Sequence, residues 1–150
     1  MSQTNELEIM ERIALDLERV EESLASSFNT GAEDFNALIR PLSAAGGKRL
    51  RAQLCLLIAN AGTSIERQRI KIAEAVEMLH LATLIHDDVL DQAEIRRGED
   101  TIHMHKGNKV AILSGDYLFA KAFKIVSEMT NMKYLQVFSH IITCLVEGEF

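Results

Sequence analysis

Three aspartates and two arginines crowd one short stretch, HDDVLDQAEIRRG, which runs from His86 to Gly98. Asp87 and Asp91 are four residues apart, so on a helix both side chains leave from one face, with Asp88 flanking them. Like charges at that spacing cost about a few tenths of a kcal/mol. The negative end of a helix dipole adds to the cost. A bound cation reverses the sign of both effects. Mg2+ suits the donors, because it is hard and is commonly held by one or two carboxylates while phosphate oxygens and water complete its shell. Arg96 and Arg97 supply forked donors that match phosphate oxygens. A metal bridging carboxylates to a diphosphate, with arginine on the remaining oxygens, accounts for both charge clusters. A solvated helix end followed by a charged loop also accounts for them.

A second cationic group lies upstream. GGKRLR, from Gly46 to Arg51, places flexible backbone and three cations at a predicted helix start, where free N–H groups also favour anions. Lys48 and Arg51 are three apart and are predicted to share a face. His80 precedes Asp87 by two helical turns, roughly 10 Å along the same face. Together these residues predict two anion sites. One holds metal, at Asp87, Asp91 and Arg96. The other is metal-free, at Lys48, Arg51, His80 and Arg97. A hydrogen-bonded core histidine and a solvated basic helix start are the plainer accounts of the second group.

The elements that must position these side chains read as helices. Ile9, Ile13, Leu17, Val20, Leu24 and Phe28 form one apolar stripe, with Asn5 and Glu8 as a capping box at its start. Asn29-Thr30-Gly31 stops this helix. A short helix carries Phe35, Leu38, Ile39 and Leu42, and Pro41 is expected to kink or shorten it. A third is predicted from Lys48 to about Asn60, closed by Gly62. A long fourth starts at Thr63, with Glu66 as its capping partner, and runs to about Asp91. A polar loop, Gln92 to Asp100, follows. Further helices are predicted over about Asn108–Met129 and Met132–Phe150. No stretch alternates strictly enough to predict a strand, so the class is all-α.

Composition narrows the function. The chain has 150 residues, one domain's worth, with 47% apolar residues to build a core. Its net charge of −6 argues against general nucleic-acid affinity, so an anion site must be local. The acidic, periodic start does not look like a signal peptide, and no apolar run approaches a membrane span. Cys55 and Cys144 lie in apolar helical patterns and are read as buried free thiols of a reducing cytoplasm. His103 and His105, two apart, cannot share a helical face and are not read as metal ligands.

GGKRLR, HLATLIHDDVLDQAEIRRG and GNKVAILSGDYLFAKAF together resemble the trans-polyprenyl diphosphate synthases, the head-to-tail isoprenyl chain elongators. The resemblance covers about residues 40–150 and is nearest in pattern to the bacterial heptaprenyl and octaprenyl synthases. It implies an all-α fold in which residues 1–150 form the N-terminal part of a single isoprenoid synthase helical bundle. It implies Mg2+ on Asp87 and Asp91, with Asp88 assisting the cluster. Arg96 would hold the diphosphate of an allylic substrate, and Lys48, Arg51, His80 and Arg97 would hold isopentenyl diphosphate. The reaction would be ionisation of the allylic C–O bond, attack by the alkene, then proton loss. Asp116, in the GD signature, would support the active-site helices or serve as a structural hydrogen-bond partner. Small residues before the first aspartate, Ala82 and Thr83, imply a medium or long all-trans product. A cytoplasmic homodimer or heteromer is expected, without a membrane span and without a nucleic-acid partner.

Two departures qualify these expectations. Ala52 stands where the family usually has proline. The chain is also about half the length of family members, and its 150 residues hold no second DDxxD motif. The chain alone is therefore expected to be poorly active, unstable or oligomeric. A non-catalytic or split subunit of a heteromeric polyprenyl synthase is the alternative. An HD-type metal phosphohydrolase, suggested by LIHDD, lacks the upstream histidine ligand that it needs, because His80 is the first histidine of the chain.

Overall fold

Glu66–Leu90, the fourth helix, is the axis of the molecule, and its residues explain why. Ala73, Ala75, Met78, Leu79, Ala82 and Ile85 are buried on more than one face of it. A helix that is apolar on several sides must be packed on several sides. The computed structural model describes residues 3–28, 33–44, 47–62 and 65–149. Its elements are α1 (Gln3–Ser27), α2 (Glu33–Ala44), α3 (Leu50–Asn60), α4 (Glu66–Leu90), β1 (Ile95–Arg96), β2 (Glu99–Asp100), α5 (Ile102–Lys106), α6 (Asn108–Ser127) and α7 (Met132–Gly148). At 25 residues, α4 is about 37 Å long. It packs most extensively on α6, with α1 and α3 against its other sides.

Small residues set the closeness of the α4–α6 pair. Ala111, Ser114, Gly115, Leu118, Ala122 and Val126 recur at helical spacing along the buried face of α6. On α1, Ile13, Val20, Leu24 and Phe28 are buried, as the stripe predicts, and Ile9 and Leu17 pack at its margin. Ion pairs lock α1 onto α4. Buried Asp16 accepts from Arg69 at 2.6 and 3.1 Å. Fully buried Glu74 accepts from Ser23, Ser27 and Lys71, each at 2.7 Å.

Several local expectations need correction. The first helix begins at Gln3, upstream of Asn5, so Asn5 is not its cap. Pro41 lies inside α2, which runs on to Ala44. Leu50 opens α3, leaving Lys48 outside the helix and off any shared face with Arg51. The cap position of α4 is Ile65, without a side-chain cap, while Thr63 falls outside the described residues. Asn29-Thr30-Gly31 and Phe150 also fall outside them. Cys144 is exposed and Cys55 half-buried, so neither is a core thiol, although burial does push the Cys55 thiol up. The two short strands and α5 were not predicted.

One face each of α3 and α7 stays apolar and exposed: Leu50, Leu54, Leu57 and Ile58 on the first, Val137, Ile141 and Leu145 on the second. The buried side of α7 is anchored by Phe138 against Phe123, ring centroids 5.5 Å apart. Among the described residues, no helix is long and apolar enough to cross a membrane.

Candidate functional site

The aspartates close α4, and the backbone there turns sharply back on itself. Gln92 adopts a left-handed conformation (φ 53°). Ala93 N–H donates to the Asp88 carbonyl at 2.9 Å, and Gln92 N–H to the Val89 carbonyl at 3.4 Å. These two bonds are those of a Schellman motif, with Gln92 in the position that glycine usually fills. The chain then forms a two-residue hairpin, Ile95 opposite Asp100 and Arg96 opposite Glu99. Both residues of its turn, Arg97 (φ 54°) and Gly98 (φ 86°), have positive φ. That is the pattern of a type I′ turn, which matches strand twist and favours glycine at its second central residue. Arg97 itself pays for its place with backbone strain.

This reversal brings the arginines back over the end of α4. Arg96 Nε donates to Asp88 Oδ1 at 2.7 Å, and Asp88 is buried. Asp88 is thus the carboxylate that anchors the hairpin. Asp87 is half-buried and Asp91 exposed, and no ion pair among the described residues engages either. Nor do three acidic, histidine or cysteine side chains converge anywhere among the described residues. The donor set at the end of α4 is therefore two carboxylates on one face. That fits a Mg2+ ion completed by substrate phosphates and water, and does not fit an all-protein cage.

The second cluster meets the first. The Arg97 guanidinium lies over Gly47, where a Cβ would come within 3.6 Å of Arg97 Nη2. Gly47 has φ 61°, which also favours glycine. His80 is half-buried and its pKa is lowered, first by burial, then by Arg51, with Arg97 and Arg96 adding to the effect. Glu77 opposes the shift. The imidazole is held neutral in a cationic surround, so Gly47, Arg51, His80, Arg96 and Arg97 share one electrostatic neighbourhood. Lys48 is exposed beside it, and its carbonyl accepts from Gln53 Nε2 at 2.6 Å.

Sequence reasoning passed over Arg49, which has the same charge as its neighbours but a different task. It has φ 48°, and its guanidinium is bound by Glu21 at 2.5 and 3.0 Å and by Glu77 at 3.4 Å. It also donates to the Ser43 carbonyl at 2.6 Å. Glu77 in turn accepts from Ala52 N–H at 3.0 Å, satisfying one free amide at the start of α3. Arg49 therefore fixes the backbone from which Lys48 and Arg51 project. No local signal separates it from those two.

His86 and the GD pair explain each other. A Cβ on Gly115 would overlap the His86 ring, so glycine admits it. His86 Nε2 lies 3.1 Å from the Ile112 carbonyl and 3.4 Å from Asp116 Oδ1. Asp116 thus braces the end of α4 against α6. Behind the arginines, a cavity of about 990 Å3 opens under α2. Leu38, Leu42, Leu81, Leu84 and Ile85 give it apolar walls, and Asp88, Arg96 and Arg97 close its polar end. Ala82 and Thr83 do not line this cavity. Ala82 is fully buried, and the Thr83 hydroxyl donates to the His80 carbonyl at 2.8 Å.

Comparison with known proteins identifies the family. The Polyprenyl synthetase family profile matches residues 32–150. Octaprenyl diphosphate synthase of Escherichia coli is 33% identical over 141 residues, covering 94% of this chain and 44% of that protein. Solanesyl diphosphate synthase 1 of Arabidopsis thaliana, a chloroplastic protein, is 33% identical over 147 residues, covering 94% of this chain and 36% of that protein. A Caulobacter crescentus polyprenyl synthase, solved with calcium and isoprenyl diphosphate, superposes with a TM-score of 0.88 at 35% identity, covering 94% of this chain and 43% of that chain. The chain therefore spans less than half the length of these relatives. A helical fold shared at this similarity, and a family profile matched over most of the sequence, place the chain in the polyprenyl synthetase family.

Proposed function

We propose that the protein acts in the Mg2+-dependent head-to-tail condensation of isopentenyl diphosphate with an allylic prenyl diphosphate, giving a medium- or long-chain all-trans polyprenyl diphosphate. The observation that carries this reading is the meeting of Arg51, His80, Arg96 and Arg97 beside two carboxylates that no ion pair among the described residues engages. The Caulobacter relative, solved with calcium and isoprenyl diphosphate, supports a divalent cation and a prenyl diphosphate as the ligands.

In this reading, Asp87 and Asp91 hold the metal and Asp88 keeps Arg96 in place. The ion, once bound, supplies Lewis-acid neutralisation of the departing diphosphate. Arg96 offers its remaining N–H groups to the allylic diphosphate. Lys48, Arg51, His80 and Arg97 hold isopentenyl diphosphate. The His80 pKa is lowered by burial and by Arg51, and a bound diphosphate acts in the opposite direction, favouring the imidazolium. No protein nucleophile is needed, since substrate ionisation generates the electrophile.

Residues 1–150 are read as the N-terminal portion of a single synthase domain, working in the cytoplasm as a homodimer. The exposed apolar faces of α3 and α7 support packing against further protein. A split subunit of a heteromeric synthase fits the same observations, because the chain spans 36% and 44% of the two curated relatives.

The test is calorimetric titration of farnesyl diphosphate with and without Mg2+, followed by incorporation of labelled isopentenyl diphosphate. Metal-dependent binding that Asp87→Ala abolishes is the expected result. Binding indifferent to both metal and Asp87 would sink the assignment. Turnover by the chain alone would set aside the split-subunit reading.

A further inference from the structure

The hairpin that carries Arg96 and Arg97 has only two residue pairs, too few to hold its own geometry in water. Its stability must come from the base of the loop. There, the Ala93 carbonyl accepts two hydrogen bonds from the start of α5: one from Thr101 Oγ1 and one from His103 Nε2, each at 2.8 Å. Thr101 N–H donates to the neighbouring Glu94 carbonyl at 3.0 Å. Thr101 is buried and His103 half-buried, so water competes weakly for these bonds. Ala93 is also the residue whose N–H closes the Schellman turn onto Asp88. One peptide group after another is thus fixed on both sides, at the point where the chain leaves the aspartates and enters the arginine hairpin.

We propose that His103 is a positioning residue of the diphosphate site. Its Nε2–H, through the Ala93 carbonyl, sets the angle at which the hairpin returns, so that Arg96 reaches Asp88 and Arg97 reaches over Gly47. The inference rests on the reading of Arg97 as a diphosphate donor. Because a carbonyl oxygen only accepts, Nε2 must carry a proton. The neutral tautomer protonated at Nε2 and the imidazolium both meet that demand. Either form therefore serves as the donor to Ala93. What the position requires is a donor at the reach of Nε2, not a titrating group.

The experiment measures Mg2+-free binding of isopentenyl diphosphate by calorimetry at 15 °C. The proteins are the intact chain and its Arg97→Ala, His103→Leu and His103→Gln variants, with thermal melts on the same samples. One hydrogen bond lost at an ordered site corresponds to roughly 3–10-fold in affinity. His103→Leu is expected to bind about that much more weakly, and His103→Gln, which keeps a donor, to recover most of the loss. If both His103 variants bind like the unaltered chain and only their melting temperatures fall, the residue is structural and the inference is overturned, while loss of binding in Arg97→Ala leaves the site reading standing. If the unaltered chain and Arg97→Ala bind equally, the site reading fails and takes the inference with it. Should His103→Leu not fold, Thr101→Val removes the other donor to the same carbonyl. It is expected to weaken binding in the same direction, and unchanged affinity there would count against the loop base as a positioning device.

Discussion

The two ends of α4 both carry acidic side chains, and the structure treats them in opposite ways. In the middle and N-terminal half, the acids facing α1 and α3 are fully answered. Glu74 has two serines and a lysine, and Glu77 has Arg49 and the Ala52 amide. At the C-terminal end, Asp88 is answered by Arg96, while Asp87 and Asp91 face the helix dipole without a cation of their own among the described residues. Two carboxylates left together where they are least favourable, in a fold that pairs its buried acids so consistently, are what the proposed metal site requires.

The contrast breaks first on stability. Asp16, buried on α1, pairs with Arg69 of α4. Asp16→Ala leaves the mostly buried Arg69 guanidinium with only Glu66, at 3.9 Å, which costs up to about 3–5 kcal/mol. Urea unfolding is expected to show a loss of that size, a large share of a domain's total stability. Asp87→Ala, by the same measurement, is expected to show no loss. A comparable loss in both would erase the distinction between structural and reserved acids.

Next in size is the brace behind the aspartates. Gly115→Ala drives a methyl group into the His86 ring, and overpacking of this kind costs about 1–3 kcal/mol. Pairing it with His86→Ala removes the clash, so the double variant is expected to be more stable than Gly115→Ala alone. If the second change only adds to the first loss, Gly115 is needed for some other reason.

A pH series sharpens the comparison on the cationic side. His80 has a native pKa below its ordinary value of 6.5, because burial and then Arg51 disfavour the charged form. Above that value both folded and unfolded chains are neutral at this residue, and it contributes no pH dependence. As pH falls below it, the unfolded chain takes up the proton first, so the folded state loses stability until its own lowered pKa is reached. His80→Gln is expected to flatten the fall in melting temperature over that window. Diphosphate binding should run the other way, tightening as pH falls, because a bound anion favours the imidazolium. Destabilisation and tighter binding over the same pH range form a signature that a solvated surface histidine would not give.

How much of this was readable in advance depended on whether the cause was local. The stripe from Ile9 to Phe28 predicted α1 because helical burial repeats every three to four residues. Asp16 sits within the same helix face with no sequence hint of its partner, Arg69, which is 53 positions away. Arg49 could not be told from Lys48 or Arg51, since only Glu21 and Glu77 separate it from them. The two-residue strands and the five-residue α5 are too short to show any period. The aspartates, the arginine pair and His80 were legible, and their grouping was expected, because their chemistry is unusual for their position. The backbone that brings them together was not, because it depends on a left-handed Gln92 and an I′-like turn at Arg97.

The smallest expected effect tests the premise most directly. If Asp91 is held against its local electrostatics, removing its charge should help the free protein. Asp91 is exposed, lies four residues from Asp87, and stands at the C-terminal cap of α4. Asp91→Asn keeps shape and polarity while relieving like-charge repulsion and the unfavourable dipole. A gain of about 0.3–0.5 kcal/mol is expected in low salt, shrinking as salt screens both terms. The same variant should lose Mg2+-dependent affinity for farnesyl diphosphate. Stability and binding moving in opposite directions is what a carboxylate reserved for a metal must show. A side chain whose removal harms the free fold instead would belong with Asp16 and Glu74, among the acids that the protein keeps for itself.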